Sequence, residues 1–197
     1  MIRLRFLTAL LAVGLGALPA ASASAAPPLT LQKAEELHKL MAGQPDIVFD
    51  YVRDGCYARA QLMIRKMESL GIRAGKVWAF PPSPGEQLQV ATPHAPGGKV
   101  KWTYHVAPVV HVRNGKQDVE MVIDPSLFHH PVTIAEWARS MKTPAGRAPV
   151  LSRTAYGEPP LLPDGNRAAG SYTPASNPPN PDISALQTML RYKGKKN

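Results

Sequence analysis

The residue with the clearest chemical potential in this sequence is its only cysteine, Cys56. It follows Asp54-Gly55 at the start of a segment with helical periodicity, and we expect Asp54 to be the helix N-cap. Unpaired N–H groups and the positive dipole end at a helix N-terminus stabilise a thiolate and can bind a developing oxyanion. The alternative is a structural cysteine that is buried as a small apolar residue.

A histidine and an aspartate downstream have the spacing to complete an acyl-transfer site. Asn114-Gly115 favours a type I′ hairpin turn between two strand patterns. If these two residues form the loop, Arg113 pairs with Lys116, and the same register places His105 opposite Asp124. A carboxylate there fixes the imidazole tautomer and stabilises the imidazolium. With the cysteine, this predicts a Cys-His-Asp enzyme that works through a thioester.

The same residues leave other interpretations open. His105 alone is typical of a half-buried strand residue, and His111 on the same face makes a His-His-Asp metal site an alternative. No recognised ligand spacing supports a metal, so we expect neither metal nor cofactor. The predicted triad does not separate peptide cleavage, transfer to an amine and side-chain deamidation, because all three pass through an acyl-enzyme.

Periodicity predicts the elements that hold these residues, and together they indicate an α+β fold. We expect an antiparallel sheet with the nucleophile helix packed against it. A capping box, Thr133-x-x-Glu136, predicts a third helix that runs through Met141. The other predicted elements are a helix over 30–42, a helix from Cys56 to about Leu70, strands over 75–80, 100–112 and 119–124, and a loop over 81–98.

The chain divides into four predicted parts. Residues 1–25 form a signal peptide with two arginines, an apolar run of about 13 residues and small residues at the end, too short to span a bilayer. Residues 27–142 form the catalytic domain and 143–182 a proline-rich extended segment. Residues 183–193 form a C-terminal helix with a basic end. We therefore expect a secreted or periplasmic protein without stable membrane insertion.

The expected C-terminal helix has a defined apolar side. Asp182 is its expected cap, and the apolar side comprises Ile183, Leu186, Met189 and Leu190. Its role is not indicated by the pattern.

Composition narrows the class of protein further. One cysteine excludes an intramolecular disulfide framework and Cys-rich metal sites. The formal net charge is +9, but no basic stripe is interleaved with aromatic residues, so nucleic acid binding is not expected. The positive charge instead favours acidic partners or surfaces through long-range steering.

Three segments resemble the motifs of the bacterial protein glutaminases. They are Asp54-Gly55-Cys56-Tyr57-Ala58-Arg59-Ala60, Trp102-x-Tyr104-His105-Val106-Ala107 and Ile123-Asp124-Pro125-Ser126-Leu127-Phe128. The resemblance covers about residues 48–141 and implies a core related to transglutaminases and papain-like proteases. It implies that Cys56 is the nucleophile, His105 the general base and Asp124 the orienting carboxylate. It further implies that Trp102 and Tyr104 line the substrate cleft.

The resemblance also implies an activity: deamidation of protein glutamine to glutamate with release of ammonia. Expected partners are protein substrates with exposed glutamine, and an inhibitory protein is a second candidate. Transglutaminase-like or cysteine-peptidase chemistry with the same triad is the alternative, followed by a non-catalytic exported binding module. One departure is Gln61, where the family motif has histidine; we expect it on the helix surface without effect on the chemistry.

Overall fold

The computed structural model describes residues 27–92, 94–154, 162–163, 165–166 and 181–195. The predicted signal peptide and most of the proline-rich segment lie outside these residues. The helices are α1 (Leu31–Ala42), α2 (Cys56–Ser69), α3 (Ile134–Arg139) and α4 (Pro181–Tyr192). The strands are β1 (Leu29–Thr30), β2 (Gly75–Phe80), β3 (Leu88–Ala91), β4 (Lys99–Trp102), β5 (His105–Asn114), β6 (Gln117–Val122), β7 (Val132–Thr133), β8 (Met141–Lys142) and β9 (Val150–Thr154).

A six-stranded sheet forms the centre of the fold. Its order is β7-β6-β5-β2-β9, and all of these neighbours pair antiparallel. The two-residue strand β1 adds to β5 in parallel. A second, three-stranded antiparallel sheet has the order β4-β3-β8. The predicted α+β class is confirmed.

Alternating residues of the central strands enter different cores, as the two-residue period of a strand requires. Val110 and Val112 of β5 pack with α1, α2 and α4, whereas Ala107 and Val109 pack with the small sheet and α3. Ala60 of α2 meets the strands through a third cluster that also contains Cys56. The helix that begins at Cys56 therefore packs against the sheet, as predicted.

The predicted strand over 100–112 is wrong as a single element. Residues 99–102 belong to the small sheet and 105–114 to the large one, and Thr103-Tyr104 connects them without strand structure. The predicted loop over 81–98 is also wrong in part, because it contains β3. The first error arises because β-branched and aromatic composition indicates extended chain but not the sheet to which it belongs. The second arises because the five prolines of residues 81–98 indicate a loop, although none of them lies within β3.

The β5–β6 hairpin has a register two residues from the predicted one. Asn114 pairs with Gln117, so the two loop residues are Gly115 and Lys116, and Gly115 has φ 62°. A shift of two residues preserves the face on which every side chain lies. His105 and Asp124 therefore keep the same face, although they are not a cross-strand pair.

The capping box that opens α3 is confirmed. The Thr133 hydroxyl accepts from the Glu136 N–H, and the Glu136 carboxylate accepts from the Thr133 N–H. The helix ends at Arg139 rather than at Met141, which instead begins β8.

Helix α4 packs on α2 with a face other than the predicted one. Ala185, Met189 and Tyr192 are buried against the first core, whereas Leu190 is 69% exposed. Ile183 and Leu186 are also exposed. The predicted apolar side is therefore correct only for Met189, because the buried face of α4 also contains Ala185 and Tyr192 and leaves the other three predicted residues exposed.

Gln61 was also misplaced by the sequence argument. It is 1% exposed, and its amide donates to Asp182 of α4 (2.7 Å) while its carbonyl accepts from Lys76 of β2 (3.0 Å). Arg65 adds a second bond to Asp182, so this carboxylate joins α2 to α4. Asp182 is the second residue of α4 and not the predicted cap that precedes the helix. Within the described ranges, no helix has the length and apolar character needed to cross a membrane.

Candidate active site

Cys56 is the first residue of α2, and the backbone before it has an unusual shape. Gly55 is the N-cap residue with φ 88°, and the helix has no side-chain cap. The prediction of Asp54 as the cap is therefore wrong: its carboxylate accepts from the Gly55 N–H (2.6 Å) and from the Tyr192 hydroxyl. Because no side chain caps the first turn, its N–H groups are left for another acceptor.

Contact with α4 makes glycine necessary at position 55. A Cβ there would lie 2.8 Å from Tyr192 Cε2 and 3.1 Å from Met189 Cε. The left-handed conformation alone costs an L-residue about 1–2 kcal/mol. The segment that presents Cys56 is thus held by a helix more than 120 residues further along the chain.

We expect Gly55→Ala to destabilise the fold more than Gly71→Ala, because only position 55 has neighbours in the way. Gly71, just after α2, has φ +74° and no atom within 4 Å of a Cβ, so it isolates the cost of the backbone conformation. Urea unfolding of both variants measures the difference, which we expect to be at least about 1 kcal/mol. Equal losses would show that α4 does not restrict the Cys56 turn.

His105 and Asp124 meet because the chain leaves the β6 ladder just before the aspartate. The ladder ends at the Val109–Val122 pair, and the Ile123 N–H still donates to the Pro108 carbonyl. Asp124 then starts a tight turn, in which its carbonyl accepts from the N–H groups of residues 127 and 128. This turn brings Asp124 Oδ2 to 2.8 Å from His105 Nε2.

Every oxygen of the Asp124 carboxylate has a donor. Oδ2 also accepts from Trp137 Nε1 at 2.8 Å, and Oδ1 accepts from the Ser126 N–H at 3.1 Å. The carboxylate is buried, and a buried charge is tolerated only with such partners. These three donors fix its orientation toward the imidazole.

Two tryptophans stack against the His105 ring. The Trp102 ring centroid lies 4.4 Å away at 16°, and that of Trp137 lies 5.5 Å away at 26°. Trp102 is itself held by a 2.7 Å bond from Nε1 to the Val52 carbonyl. The imidazole therefore has little freedom to rotate.

The charges of His105 and Asp124 interact strongly. Burial alone would lower the pKa of His105, but the Asp124 charge and hydrogen bond, together with Cys56, raise this pKa to about 9. Burial alone would raise the pKa of Asp124, but His105, Trp137 and Arg59 hold it below its usual range. The pair is therefore an imidazolium and a carboxylate at neutral pH.

Cys56, the first residue of α2, is the third residue of this arrangement. The Nε2 atom of His105 is hydrogen-bonded to Asp124. The Nδ1 atom of the same ring is buried and has no hydrogen-bond partner among the nitrogen and oxygen atoms of the described residues. Cys56 interacts with this buried imidazolium and helps to raise the pKa of His105. The structure thus brings together the three residues that the sequence singled out.

A cavity of about 220 Å³ opens beside Cys56. Both residues predicted to line a cleft, Trp102 and Tyr104, line it, although Trp102 is largely buried. Thr103 and Gln87 also line it, and both are shared with a larger, mostly apolar groove of about 470 Å³. An extended ligand that enters at Cys56 can therefore continue along this groove.

Arg59 is a site residue that the sequence argument missed. Its side chain is 2% exposed, lines the cavity and donates from Nη1 to the carbonyls of Val48 (3.2 Å) and Tyr51 (3.0 Å). Burial lowers its pKa, opposed by Cys56 and Asp124, but a guanidinium keeps its proton. The available signal was its spacing, one helical turn after the cysteine.

The sequence analysis did not assign Trp137 to the site, so its bond to Asp124 was missed. The available signal was its indole N–H, which needs an acceptor when the ring is buried.

Among the described residues, no group of three His, Cys, Asp or Glu side chains is placed to hold a metal ion. His111, the other histidine of the metal alternative, is exposed. It lies opposite Glu120 in the β5–β6 ladder, away from Cys56.

Solved structures define the class of fold to which this chain belongs. It is similar to the solution structure of protein-glutaminase from Chryseobacterium proteolyticum, with a TM-score of 0.64 and 22% identity over 86% of this chain and 90% of that chain. A crystal structure of protein-glutaminase gives 0.65 at 22% identity over the same shares. A mutant pro-protein-glutaminase gives 0.66 at 21% identity, over 90% of this chain and 64% of that one. The fold is that of the protein-glutaminase structures.

The sequence itself identifies the family. A family model described as glutaminase matches residues 32–141, more than half of the chain. The chain therefore belongs to the glutaminase family, and the predicted resemblance and enzyme class are confirmed. Comparison with curated proteins finds no significant match.

Proposed function

We propose that this protein is an exported protein-glutamine deamidase in which Cys56, His105 and Asp124 are the catalytic residues. The observation that supports it most directly is the buried His105–Asp124 pair, whose imidazole interacts with Cys56, a residue that lines a cavity. Membership of the glutaminase family and the names of its structural relatives support the substrate class. The pattern of residues 1–25 supports export.

The first half of the reaction forms an acyl-enzyme. The Cys56 thiolate attacks the carboxamide carbon of a glutamine side chain, and the carbonyl oxygen becomes an oxyanion. The uncapped first turn of α2 supplies N–H donors and a positive dipole end for that charge. His105 then protonates the nitrogen, so that ammonia leaves and a thioester remains.

The second half returns the enzyme to its starting state. His105, now neutral, takes a proton from water, and the hydroxide attacks the thioester carbon. Glutamate leaves, and the thiolate regains its imidazolium partner. Asp124 stays ionised throughout and holds the ring, with Trp137 and the Ser126 N–H as its anchors. These steps require no metal or cofactor.

Mass spectrometry of a glutamine-rich protein substrate tests this proposal. Incubation should convert exposed glutamines to glutamates and release an equal amount of ammonia, and a Cys56→Ala variant should do neither. A labelled primary amine and new peptide termini should be followed in the same reaction. Amine incorporation or peptide cleavage without net deamidation would support the transglutaminase-like or peptidase alternative.

The pH dependence follows from the direction of the His105 shift. We expect kcat/KM to fall with an apparent pKa near 9, where the imidazolium that protonates the leaving nitrogen is lost. Since folding raises this pKa from 6.5, its contribution to stability is complete below pH 6.5 and disappears as the pH rises to about 9. Rate profiles and urea unfolding over pH 5–10 check both effects. A rate that stays constant to pH 10 would contradict the assignment.

A further inference from the structure

We propose that Arg53 and Lys101 make this enzyme select glutamines that have acidic residues beside them in the substrate chain. This inference rests on the proposed function and deepens it. Both side chains are exposed, and both line the cavity that contains Cys56. We call the exposed Arg53 and Lys101 the rim of the cavity. When a protein substrate places a glutamine at Cys56, the residues beside that glutamine must lie near this rim.

The cavity has an unbalanced charge. Among the described residues that line it, Arg53, Arg59 and Lys101 contribute three cations, whereas Asp54 contributes the one carboxylate. Asp54 is already engaged, because one oxygen accepts from the Gly55 N–H and the other from the Tyr192 hydroxyl. The cavity therefore presents a net positive potential to an entering chain.

The two rim cations have no anionic partner in the described part of the chain. The ion pairs found there involve other basic residues, among them Arg65, Arg113 and Arg147. Arg53 and Lys101 consequently keep their full charge for a ligand, screened only by solvent and salt.

Arg59 adds to the positive potential of the cavity from within the cavity wall. Arg59 is nearly completely buried, and its Nε has no hydrogen-bond partner among the residues that the structure describes. A charge in a low-dielectric wall is screened less than one at the surface, so it extends the positive potential into the cavity. Exposed Arg53 and Lys101 then act on the flanking residues, where a carboxylate is attracted and an ammonium is repelled.

Matched peptides test the inference. Three peptides carry one central glutamine flanked by glutamates, serines or lysines, and ammonia release gives kcat/KM for each. We expect the acidic peptide to exceed the basic one by about tenfold at low ionic strength, with most of the difference in KM, and to lose most of this advantage at about 0.5 M salt.

Charge-reversal variants assign the effect to residues. Arg53→Glu and Lys101→Glu should each reduce the acidic-to-basic ratio by about three- to tenfold, because reversal replaces attraction with repulsion. Lys116→Glu is the matched control, since it changes the net charge equally but lies in the β5–β6 loop, at the opposite end of β5 from His105. The acidic-to-basic ratio of kcat/KM for Lys116→Glu should equal that of the unchanged protein.

The outcomes separate this inference from the function itself. Equal kcat/KM for the three peptides, or a ratio insensitive to salt, would overturn the charge selection while ammonia release still supports deamidation. A ratio that changes as much in Lys116→Glu as in the rim variants would also overturn it. Absence of ammonia from all three peptides and from intact proteins would instead refute the proposed function. The salt series needs no variant, so it remains decisive if a reversal impairs folding.

Discussion

Replacement of Cys56 by alanine is expected to reduce ammonia release by a factor on the order of 10⁴ to 10⁶, the loss typical of removing a nucleophile that acts with its base as a unit. The fold should change little, because alanine removes only a sulfur atom from a small cluster with Ala60, Trp78, Phe80 and Val106. Steady-state ammonia release and thermal unfolding of the same preparation give both quantities.

A Cys56→Ser variant distinguishes chemistry from packing. Serine nearly fills the thiol volume but is not ionised by the interactions that maintain a thiolate, so we expect it to be almost as inactive as alanine. Iodoacetamide at pH 6 provides an independent check, because an ordinary thiol is largely protonated there and reacts slowly. Rapid alkylation of Cys56 is expected from its proposed role as the nucleophile. Substantial ammonia release by either variant would refute the assignment of Cys56 as nucleophile.

Changes at Asp124 are expected to have the second largest effect, on both activity and stability. Asp124→Ala leaves the buried imidazolium, the Trp137 indole N–H and the Ser126 N–H without an acceptor. Breaking a buried charge pair from one side costs about 3–5 kcal/mol. Activity should fall by about 10³- to 10⁴-fold, because the ring loses the group that orients it.

Asp124→Asn separates these two effects. Its amide oxygen can still accept a hydrogen bond, so we expect a smaller loss of stability but a similar loss of activity. The pKa of His105 should fall, since the opposite charge that raises it is absent. Urea unfolding at pH 6 and pH 10 provides the control: the deficit of both variants should shrink at pH 10, where His105 of the unchanged protein is also neutral. A deficit that is independent of pH would show that the two charges are not coupled.

The sequence alone pointed to Cys56, His105 and Asp124 as the candidate catalytic residues and predicted much of the local structure, but it did not reveal Arg59 or the contact of Trp137 with Asp124. A lone cysteine at a helix start, a capping box at Thr133 and a strand over 75–80 are local features, and each is present. The pairing of His105 with Asp124 was also anticipated, although from a register two residues away from the observed one. A shift of two residues preserves the face of the strand residues, and the turn that begins at Asp124, just beyond the ladder, then brings its carboxylate to His105.

Only the tertiary structure decided how those residues are held. Trp137 bonds to Asp124, Trp102 stacks on His105, and Tyr192 contacts Asp54 from a helix 138 residues further along the chain. Such contacts depend on packing between distant elements, which neither periodicity nor spacing encodes. The same holds for the cationic lining of the cavity, because Arg53 and Lys101 belong to different elements that meet only in the fold. Local chemistry was therefore visible in the sequence, whereas its support and its charge environment arise from long-range packing.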